Sequence, residues 1–289
     1  MIESRSAGGC VLIYGRNMAL ITQCVNKGFR VDKRLLIIDG LNLIRRLYAA
    51  LESEQDVARR VERTQSISID ALVKLIDQIV PSHIVVVFDA SGQTWRHKVF
   101  PEYKLGRVPM DDQLLDALPD FANVFRYNKI HCLRLAGWEA DDLIATLAVK
   151  AANQGVKSYI VSTDKGFTQL LENDNILQYD YFAKLGYDKV WIPGKYGVQA
   201  QQLPDYWALV GDTTNRIPGV KGIGPKTALS IMETHSTIES IYQNVETFTG
   251  RIQGLLRDKY EQCLLARRLV SLKTDVEIGV RLSQLAYLP

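Results

Sequence analysis

Short segments dominated by apolar residues are the clearest pattern from Arg34 onwards. Three of them end at or beside an acidic residue: Leu35–Ile38, Ile84–Phe88 and Ser158–Ser162. An apolar run without polar alternation predicts a strand that is buried on both faces, as in a parallel sheet. Between these strands, apolar residues recur at helical spacing, which predicts helices. The predicted helices cover Leu41–Leu51, Ile67–Val80 and Asp141–Ala152.

Strands that alternate with helices predict right-handed βαβ units, and therefore an α/β fold with a mostly parallel sheet. From Thr227 to Pro289 the apolar spacing is helical only. We therefore expect residues 31–200 to form the α/β domain and residues 201–289 to form a helical region. Residues 1–30 lack the long apolar core of a signal peptide, and we expect them to be an extension that is disordered or not part of the fold.

The overall composition excludes few classes of protein. Lysine and arginine total 35 against 32 acidic residues, and the net charge of +3 is too small to indicate a nucleic-acid partner by itself. The cysteines at positions 10, 24, 132 and 263 form no CxxC pair, so the pattern favours neither zinc nor redox chemistry. Free cysteines predict a reducing, cytoplasmic location. No apolar run has the length of a membrane span, so we expect no membrane partner.

Acidic residues follow all three predicted strands. Asp39, Asp89 and Asp164 come at their carboxyl ends. Because ligands of open α/β sheets bind beyond these ends, we expect the three carboxylates to meet at one edge of the sheet. An aspartate after a strand is also a common helix N-cap, which is the alternative for each residue taken singly. Separate caps have no reason to converge, so the set as a whole favours a site.

A second acidic group opens the helix predicted from Asp141. In the sequence GWEADD, Glu139, Asp141 and Asp142 place their carboxylates in or beside the first turn. Acids there also interact favourably with the helix dipole, which is the alternative explanation. Because such close carboxylates repel each other, we expect a cation among them. Hard oxygen ligands without histidine or cysteine favour Mg²⁺ or Mn²⁺, ions that are typical of phosphodiester cleavage.

A basic stretch with interleaved aromatic residues follows Asp89. It covers Trp95–Arg107 and reads WRHKVFPEYKLGR. Basic and aromatic side chains together suit a phosphate backbone whose bases are unpaired and stacked. A solvated basic loop is the alternative. The prolines and Gly106 disfavour a regular helix here, and we expect a helix to resume over Arg107–Leu118.

A glycine-rich segment with basic residues and no acid covers Arg216–Ala228 and reads RIPGVKGIGPKTA. Its glycines allow the backbone to approach a ligand closely, and Pro225 suits the first position of a helix. Amides at a helix N-terminus can bind a phosphate. A helix, a glycine hairpin and a second helix are similar to the DNA-binding helix–hairpin–helix element in its helix–three-turn–helix form. An ordinary turn between helices is the alternative.

The order of these motifs resembles the bacterial and phage 5′-nuclease family, the flap endonucleases related to the 5′-nuclease domain of DNA polymerase I. The resemblance covers the chain from about Arg34 to its end. The motifs that carry it are Asp39-Gly40, the basic segment from Asp89 to Arg107, GWEADD, STDKG and GDTTNRIPGVKGIGPKTA.

The resemblance implies a PIN-like nuclease domain with a mostly parallel sheet, followed by a helix–three-turn–helix region that binds DNA. It also implies a Mg²⁺-dependent enzyme that cleaves branched or flapped DNA beside a 5′ flap. Such flaps form by displacement synthesis at Okazaki fragments or in repair. We expect the protein to be a monomer.

The resemblance further implies roles for individual residues. The metal ligands would be Asp39, Asp89, Glu139, Asp141, Asp142 and Asp164, and Asp142 is the strongest candidate for a direct ligand. Catalytic residues would be Asp142 together with Arg96 and Lys104, which would contact the scissile phosphate. Carbonyls that bind K⁺ would come from Leu209, Val210, Pro218, Val220 and Ile223. DNA contacts would come from Gly222, Ile223, Gly224, Pro225, Lys226 and Thr227, and from Tyr103 and Arg107 at the start of an arch that threads the flap.

Two positions depart from the pattern of the family. The STD motif usually continues as Asp-Lys-Asp and ends here at Gly166, and one of two aspartates in the GD motif is replaced by Asn215. We therefore expect one directly ligated Mg²⁺, with a second ion, if bound, held mostly through water. The alternative function is a structure-specific DNA-binding protein whose nuclease activity is weak or lost. An RNA-cutting toxin of the PIN fold is disfavoured by the glycine hairpin.

Overall fold

The computed structural model describes residues 33–288, so the predictions for residues 1–30 lie outside the described residues. A sheet of six strands forms its centre, in the order β3-β2-β1-β4-β5-β6. The strands are β1 (Arg34–Asp39), β2 (His83–Val87), β3 (His131–Leu133), β4 (Lys157–Val161), β5 (Ile176–Asp180) and β6 (Leu185–Tyr187). The first five are parallel, and only β6 runs antiparallel to its neighbour β5. The predicted α/β class with a mostly parallel sheet is confirmed.

The central strand β1 shows why the apolar runs predicted the sheet. Its residues Leu35–Ile38 have no exposed surface. Leu35 and Ile37 pack into one apolar cluster, and Leu36 and Ile38 pack into a second cluster on the other face. A strand that is covered on both faces carries an apolar residue at every position, which is the pattern read from the sequence.

Helices cover both faces of the sheet. The helices of the first half are α1 (Gly40–Ala49), α2 (Val57–Ile79), α3 (Trp95–Val99), α4 (Asp112–Tyr127) and α5 (Ala140–Ala152). Residues of α1, α2 and α4 belong to the same apolar cluster as Leu36, whereas residues of α5 pack with Leu35. Helix α5 is buried along almost its whole length, because it lies between the sheet and the second half of the chain.

The described chain from Trp191 onwards is helical, as expected for residues 201–289. Its helices are α6 (Trp191–Tyr196), α7 (Leu203–Val210), α8 (Pro225–Thr234), α9 (Ile238–Gln243), α10 (Gly250–Leu256) and α11 (Tyr260–Val270). Helices α7 and α8 contact each other and flank the glycine-rich segment, which confirms the helix–hairpin–helix arrangement. Short 3₁₀ turns at Lys165–Leu170, Ala200–Gln202, Val245–Thr247 and Leu282–Leu285 complete the described chain. No helix between residues 33 and 288 combines the length and apolar character that a bilayer crossing requires.

The largest differences from the predicted elements occur where helices are polar. Helix α2 begins at Val57 rather than Ile67, since Asp56 caps its N-terminus and its first turns are largely exposed. Helix α4 covers Asp112–Tyr127 rather than Arg107–Leu118, because the carboxylate of Asp111 accepts the free amides at its start. The basic stretch, predicted to be irregular, contains the short helix α3.

Candidate active site

Four aspartates surround the carboxyl edge of the sheet. Asp39 ends β1 and is 6% exposed, with its carboxylate accepting hydrogen bonds from Ser162 Oγ at 2.8 Å and the Asn42 amide at 3.1 Å. Asp89 follows β2 and accepts the Ala140 amide at 2.9 Å, which aligns the start of α5 with this edge. Asp164 follows β4 and accepts the Gly166 amide at 2.6 Å. The fourth is Asp141, in the first turn of α5.

The charges of these aspartates act on one another. Burial raises the pKa of Asp39 to about 7, and the neighbouring charges of Asp89 and Asp164 add to the effect. Burial likewise raises the pKa of Asp141 well above its ordinary value, with further contributions from Asp164 and Asp39. The strand ends and the helix start therefore bring their carboxylates into one strongly negative region, as the sequence predicted.

The raised pKa of Asp39 predicts a pH-dependent stability in the presence of a chelator. The folded chain holds this proton more tightly than the unfolded chain, whose aspartates titrate near 3.8. Stability is therefore lost as the pH rises from about 4 through 7, by up to about 1.4 kcal/mol per pH unit. Urea unfolding with EDTA at pH 5 and pH 7.5 measures this, and Asp39→Asn should flatten the difference. An unfolding free energy that is equal at both pH values in the wild type would contradict it.

Glu139, just before α5, has a different environment from Asp141. It is 4% exposed, and its Oε1 accepts a hydrogen bond from Lys104 Nζ at 2.6 Å. Burial raises its pKa, but Lys104 and Arg96 outweigh this effect and hold the pKa of Glu139 below its ordinary value. Lys104 also lowers the pKa of Asp89 and Asp141, which places its ammonium beside the negative region.

Arg96 and Asp142 form a buried ion pair. The Asp142 side chain has no exposed surface, and its two oxygens accept both terminal nitrogens of Arg96 at 2.7 and 2.9 Å. They also accept Trp95 Nε1 and the Lys273 amide, each at 2.9 Å. These four hydrogen bonds use the acceptor capacity of a carboxylate. In this structure the Asp142 carboxylate is fully engaged by protein donors, and its roles as a metal ligand and catalytic residue stay predictions.

The same pair changes the interpretation of Arg96. Its remaining hydrogen bonds go to Glu139 Oε2 at 2.7 Å and to the carbonyls of Leu269 at 2.8 Å and Ser271 at 3.1 Å. All donors of the guanidinium are thereby used, and the side chain is 2% exposed. Without DNA, Arg96 joins the start of α5 to the C-terminal end of α11 and to Ser271, and its predicted contact with the scissile phosphate stays a prediction.

The arrangement of acids also limits how they could hold an ion. Within residues 33–288, no three His, Cys, Asp or Glu side chains are grouped closely enough to share one metal ion. Glu139 and Asp142 are neutralised by Lys104 and Arg96. The assignment of Asp39, Asp89, Glu139, Asp141 and Asp142 to the first metal site stays a prediction. Asp141 forms no hydrogen bond or ion pair with another described side chain, so its oxygens are open to a hydrated cation.

A cavity of about 430 Å³ lies against this region. Asp141 and Asp164 line one side, and Asp212 and Asn215 line another. Gly166, where the family usually has an aspartate, also borders the cavity, and a side chain there would lie 3.1 Å from Asp164 Oδ1. The two positions that depart from the family pattern thus line the same cavity as Asp164 and Asp141.

The predicted start of the arch has one buried and one exposed member. Tyr103 is 4% exposed, and its hydroxyl donates to Glu139 Oε2 at 3.1 Å. A side chain in that position supports Glu139, and the DNA-binding role of Tyr103 stays a prediction. Arg107 is exposed at the cavity edge, and its Nη2 donates to Asn215 Oδ1 at 2.6 Å.

The glycine-rich loop packs against the C-terminal end of α7. The Val220 amide donates to the Leu209 carbonyl at 2.8 Å, and the Ile223 amide donates to the Val220 carbonyl at 2.9 Å. The five carbonyls predicted to bind K⁺ therefore come from two adjacent segments, Leu209 and Val210 from α7 and Pro218, Val220 and Ile223 from the loop. Of the predicted DNA contacts, Gly222, Gly224, Pro225 and Lys226 are exposed, Thr227 is half-buried, and the Ile223 side chain is buried.

Several residues that matter to the site carried no signal in the sequence. Ser162 and Asn42 hold Asp39, while Trp95 and the Lys273 amide complete the surroundings of Asp142. Each acts across a long separation in the chain or through its backbone, so no local motif indicates it. Trp95 lies in the basic stretch, Ser162 in the STD motif and Asn42 beside Asp39-Gly40, but none of these motifs indicated the contacts that the three residues make.

Both halves of the chain match one protein family. The family described as "5'-3' exonuclease, N-terminal resolvase-like domain" matches residues 34–197, and "5'-3' exonuclease, C-terminal SAM fold" matches residues 198–289. The protein therefore belongs to the 5′-3′ exonuclease family and is a nuclease.

One relative and two solved structures are similar to this chain over most of its length. The Flap endonuclease Xni of Psychromonas ingrahamii is 41% identical over 254 residues, which cover 88% of this chain and 97% of that protein. Zinc-bound T5 5′-exonuclease has a TM-score of 0.70 at 22% identity, covering 82% of this chain and 89% of that one. A T5 D15 flap endonuclease pseudo-enzyme-product complex with DNA and metal ions has a TM-score of 0.67 at 23% identity, covering 84% and 90%. These two solved structures establish the fold.

Proposed function

We propose that the protein is a Mg²⁺-dependent flap endonuclease that hydrolyses DNA beside a 5′ flap. The observation that carries the proposal is the cluster of Asp39, Asp89, Asp141 and Asp164 at one edge of the sheet, beside Lys104 and next to the cavity. The 41% identical relative is named a flap endonuclease, and a T5 enzyme of the same fold was crystallised with DNA and metal ions. Flaps formed by displacement synthesis at Okazaki fragments or in repair are the proposed substrates, and the proposed active form is a monomer.

The chemistry of the carboxylates fits a hard divalent cation. Asp141 has no cationic partner of its own, and its neighbours Asp39 and Asp164 are also acids. We assign Asp141 as the main ligand, with Asp39, Asp89 and Asp164 acting directly or through water, because Mg²⁺ usually keeps several of its waters. A second ion would lie towards Asp164 and Asp212 and be held mostly through water. Such an ion, when bound, promotes ionisation of a water molecule and neutralises phosphate charge.

Basic side chains of the chain itself complete the site. The Lys104 side chain is 22% exposed. Its ammonium can therefore contact a phosphate while it remains beside Glu139. Arg107 lies at the exposed edge of the cavity, where it can contact the strand that leaves the site. We therefore assign Lys104 to the scissile phosphate and Arg107 to the flap.

The glycine-rich loop provides the contact to the duplex. Exposed glycines allow a phosphate to approach the backbone at the start of α8, and Lys226 adds a positive charge there. We propose that Gly222–Thr227 bind the DNA backbone. The carbonyls of Leu209, Val210, Pro218, Val220 and Ile223 are proposed to hold K⁺, which would join this loop to the phosphate.

Cleavage of a labelled flap substrate tests the proposal. We expect cleavage with Mg²⁺ or Mn²⁺, none with EDTA, and a loss of about a hundredfold or more in the Asp141→Asn variant. Reaction products resolved to single nucleotides would show whether the cut lies beside the flap. Tight DNA binding without cleavage under any divalent ion would instead favour a DNA-binding protein with a lost nuclease, as the replacements at Gly166 and Asn215 allow.

A further inference from the structure

A tight turn connects α7 to the glycine-rich loop. Reciprocal backbone hydrogen bonds of 2.9 Å between Asp212 and Ile217 close it. The Asp212 carboxylate accepts the amides of Thr214 at 3.0 Å and Asn215 at 3.2 Å, which fixes the residues inside the turn. The turn therefore holds Asn215 in a defined position, directly before the loop proposed to bind the duplex.

Asn215 forms one further hydrogen bond within the turn and two that join the turn to the basic segment. Its side-chain Nδ2 donates to Asp212 Oδ2, and its Oδ1 accepts Arg107 Nη2 at 2.6 Å. Its backbone carbonyl accepts the Lys104 amide at 3.0 Å. A neutral amide is suited to this position, because it donates to an acid on one side and accepts from a base on the other.

The hydrogen bond from the Lys104 amide to the Asn215 carbonyl fixes a backbone conformation of Lys104 that is otherwise unfavourable. Lys104 has a φ of +57°, in the left-handed region that residues with a Cβ rarely adopt. The Arg216 guanidinium also lies against Gly106, since a side chain at Gly106 would be 3.2 Å from Arg216 Nη2. The segment from Lys104 to Arg107 is therefore held from the turn at several points, and its side chains reach the acids from that fixed position.

We propose that Asn215 is a positioning residue that couples the DNA-binding loop to Lys104 and Arg107. The inference rests on the proposed function, since it assigns the loop to the duplex and Lys104 to the phosphate. A duplex bound to the loop would fix the turn, and the turn would fix the backbone of Lys104 for catalysis. Loss of the Asn215 side chain would leave the loop able to bind DNA but would remove the hydrogen bonds to Arg107 and Asp212, so that the backbone carbonyl that accepts the Lys104 amide is held less firmly.

The test compares Asn215→Ala with Thr213→Ala. Thr213 is exposed in the same turn, and its hydroxyl forms no hydrogen bond with another described residue. We expect Asn215→Ala to cleave flap DNA about tenfold to a hundredfold more slowly in single turnover, with DNA affinity unchanged. Amide hydrogen exchange over residues 103–108 should be faster in this variant without DNA, while Thr213→Ala should match the wild type in all three measurements.

The outcomes separate this inference from the proposed function. Equal cleavage rates and equal exchange in Asn215→Ala and Thr213→Ala would overturn the coupling, whatever the substrate is. A parallel loss of DNA affinity and cleavage would also overturn it, because Asn215 would then act in binding. If the wild type fails to cleave flaps while Asn215→Ala still speeds exchange over residues 103–108, the contact stands and the proposed function fails.

Discussion

Asparagine substitutions at the adjacent residues Asp141 and Asp142 are expected to have opposite effects. Asp142→Asn leaves the buried guanidinium of Arg96 without its bidentate partner, and removing one member of such a pair costs about 3–5 kcal/mol of stability. Asp141→Asn removes a carboxylate that forms no ion pair with a described residue and whose pKa is raised by the nearby acids Asp164 and Asp39 more than Lys104 lowers it. This variant should keep or gain stability and lose cleavage.

Two measurements distinguish these effects. Urea unfolding gives the stability of each variant, and single-turnover cleavage at a temperature far below the unfolding transition gives the chemistry. Arg96→Lys serves as a second variant, because a lysine cannot form the paired hydrogen bonds and should destabilise the fold in the same way as Asp142→Asn. A fully stable but inactive Asp142→Asn protein would show that Asp142 acts in catalysis after all.

Alanine at Gly219 is expected to displace the glycine-rich loop. A Cβ there would lie 2.3 Å from the Gly211 nitrogen and 2.5 Å from the Leu209 carbonyl oxygen, and backbone atoms cannot move aside as a side chain can. Overpacking of this kind costs about 1–3 kcal/mol or more. Because the loop is proposed to bind DNA and K⁺, both the affinity for flap DNA and its dependence on K⁺ should fall.

Gly254→Ala is the matched control. Gly254 lies within α10, and a Cβ there would have no atom within 4 Å. Alanine inside a helix should stabilise the protein by about 0.5–1 kcal/mol and leave DNA binding unchanged. Fluorescence anisotropy in K⁺ and in Na⁺, together with thermal unfolding, measures both variants. Wild-type stability and affinity in Gly219→Ala would refute the proposed packing of the loop.

The elements that could be predicted are those whose burial determines the apolar pattern of the sequence. Leu35–Ile38 is covered on both faces, so every position is apolar and the strand is evident. The strand-end acids were predictable for a related reason, since parallel strands share one edge. The N-terminal half of α2 was not, because its exposed positions are set by the cap at Asp56 rather than by apolar spacing.

The sequence could not show which acids are paired with a buried cation and which are not. Asp141 and Asp142 are neighbours of the same chemical type, and only their partners distinguish them. The partner of Asp142 is Arg96, whose own position depends on the carbonyls of Leu269 and Ser271. A backbone carbonyl has the same chemistry in every residue, so the sequence carries no sign of this contact. The family resemblance implied a phosphate contact for Arg96, and the sequence held no indication that tertiary packing would bury its guanidinium against Asp142.

The segment after α11 stabilises α5 and the sheet, although it lies far from both in the sequence. Lys273 donates to Asp142, Thr146 Oγ1 donates to the Lys273 carbonyl at 3.1 Å, and the Tyr287 amide donates to the Ser82 carbonyl at 2.9 Å beside β2. This segment thus contacts both α5 and the sheet. Arg96 can form its full set of hydrogen bonds only once Leu269 and Ser271 have been synthesised, so a product that terminates before residue 271 should be degraded by proteases rather than act as a partial nuclease.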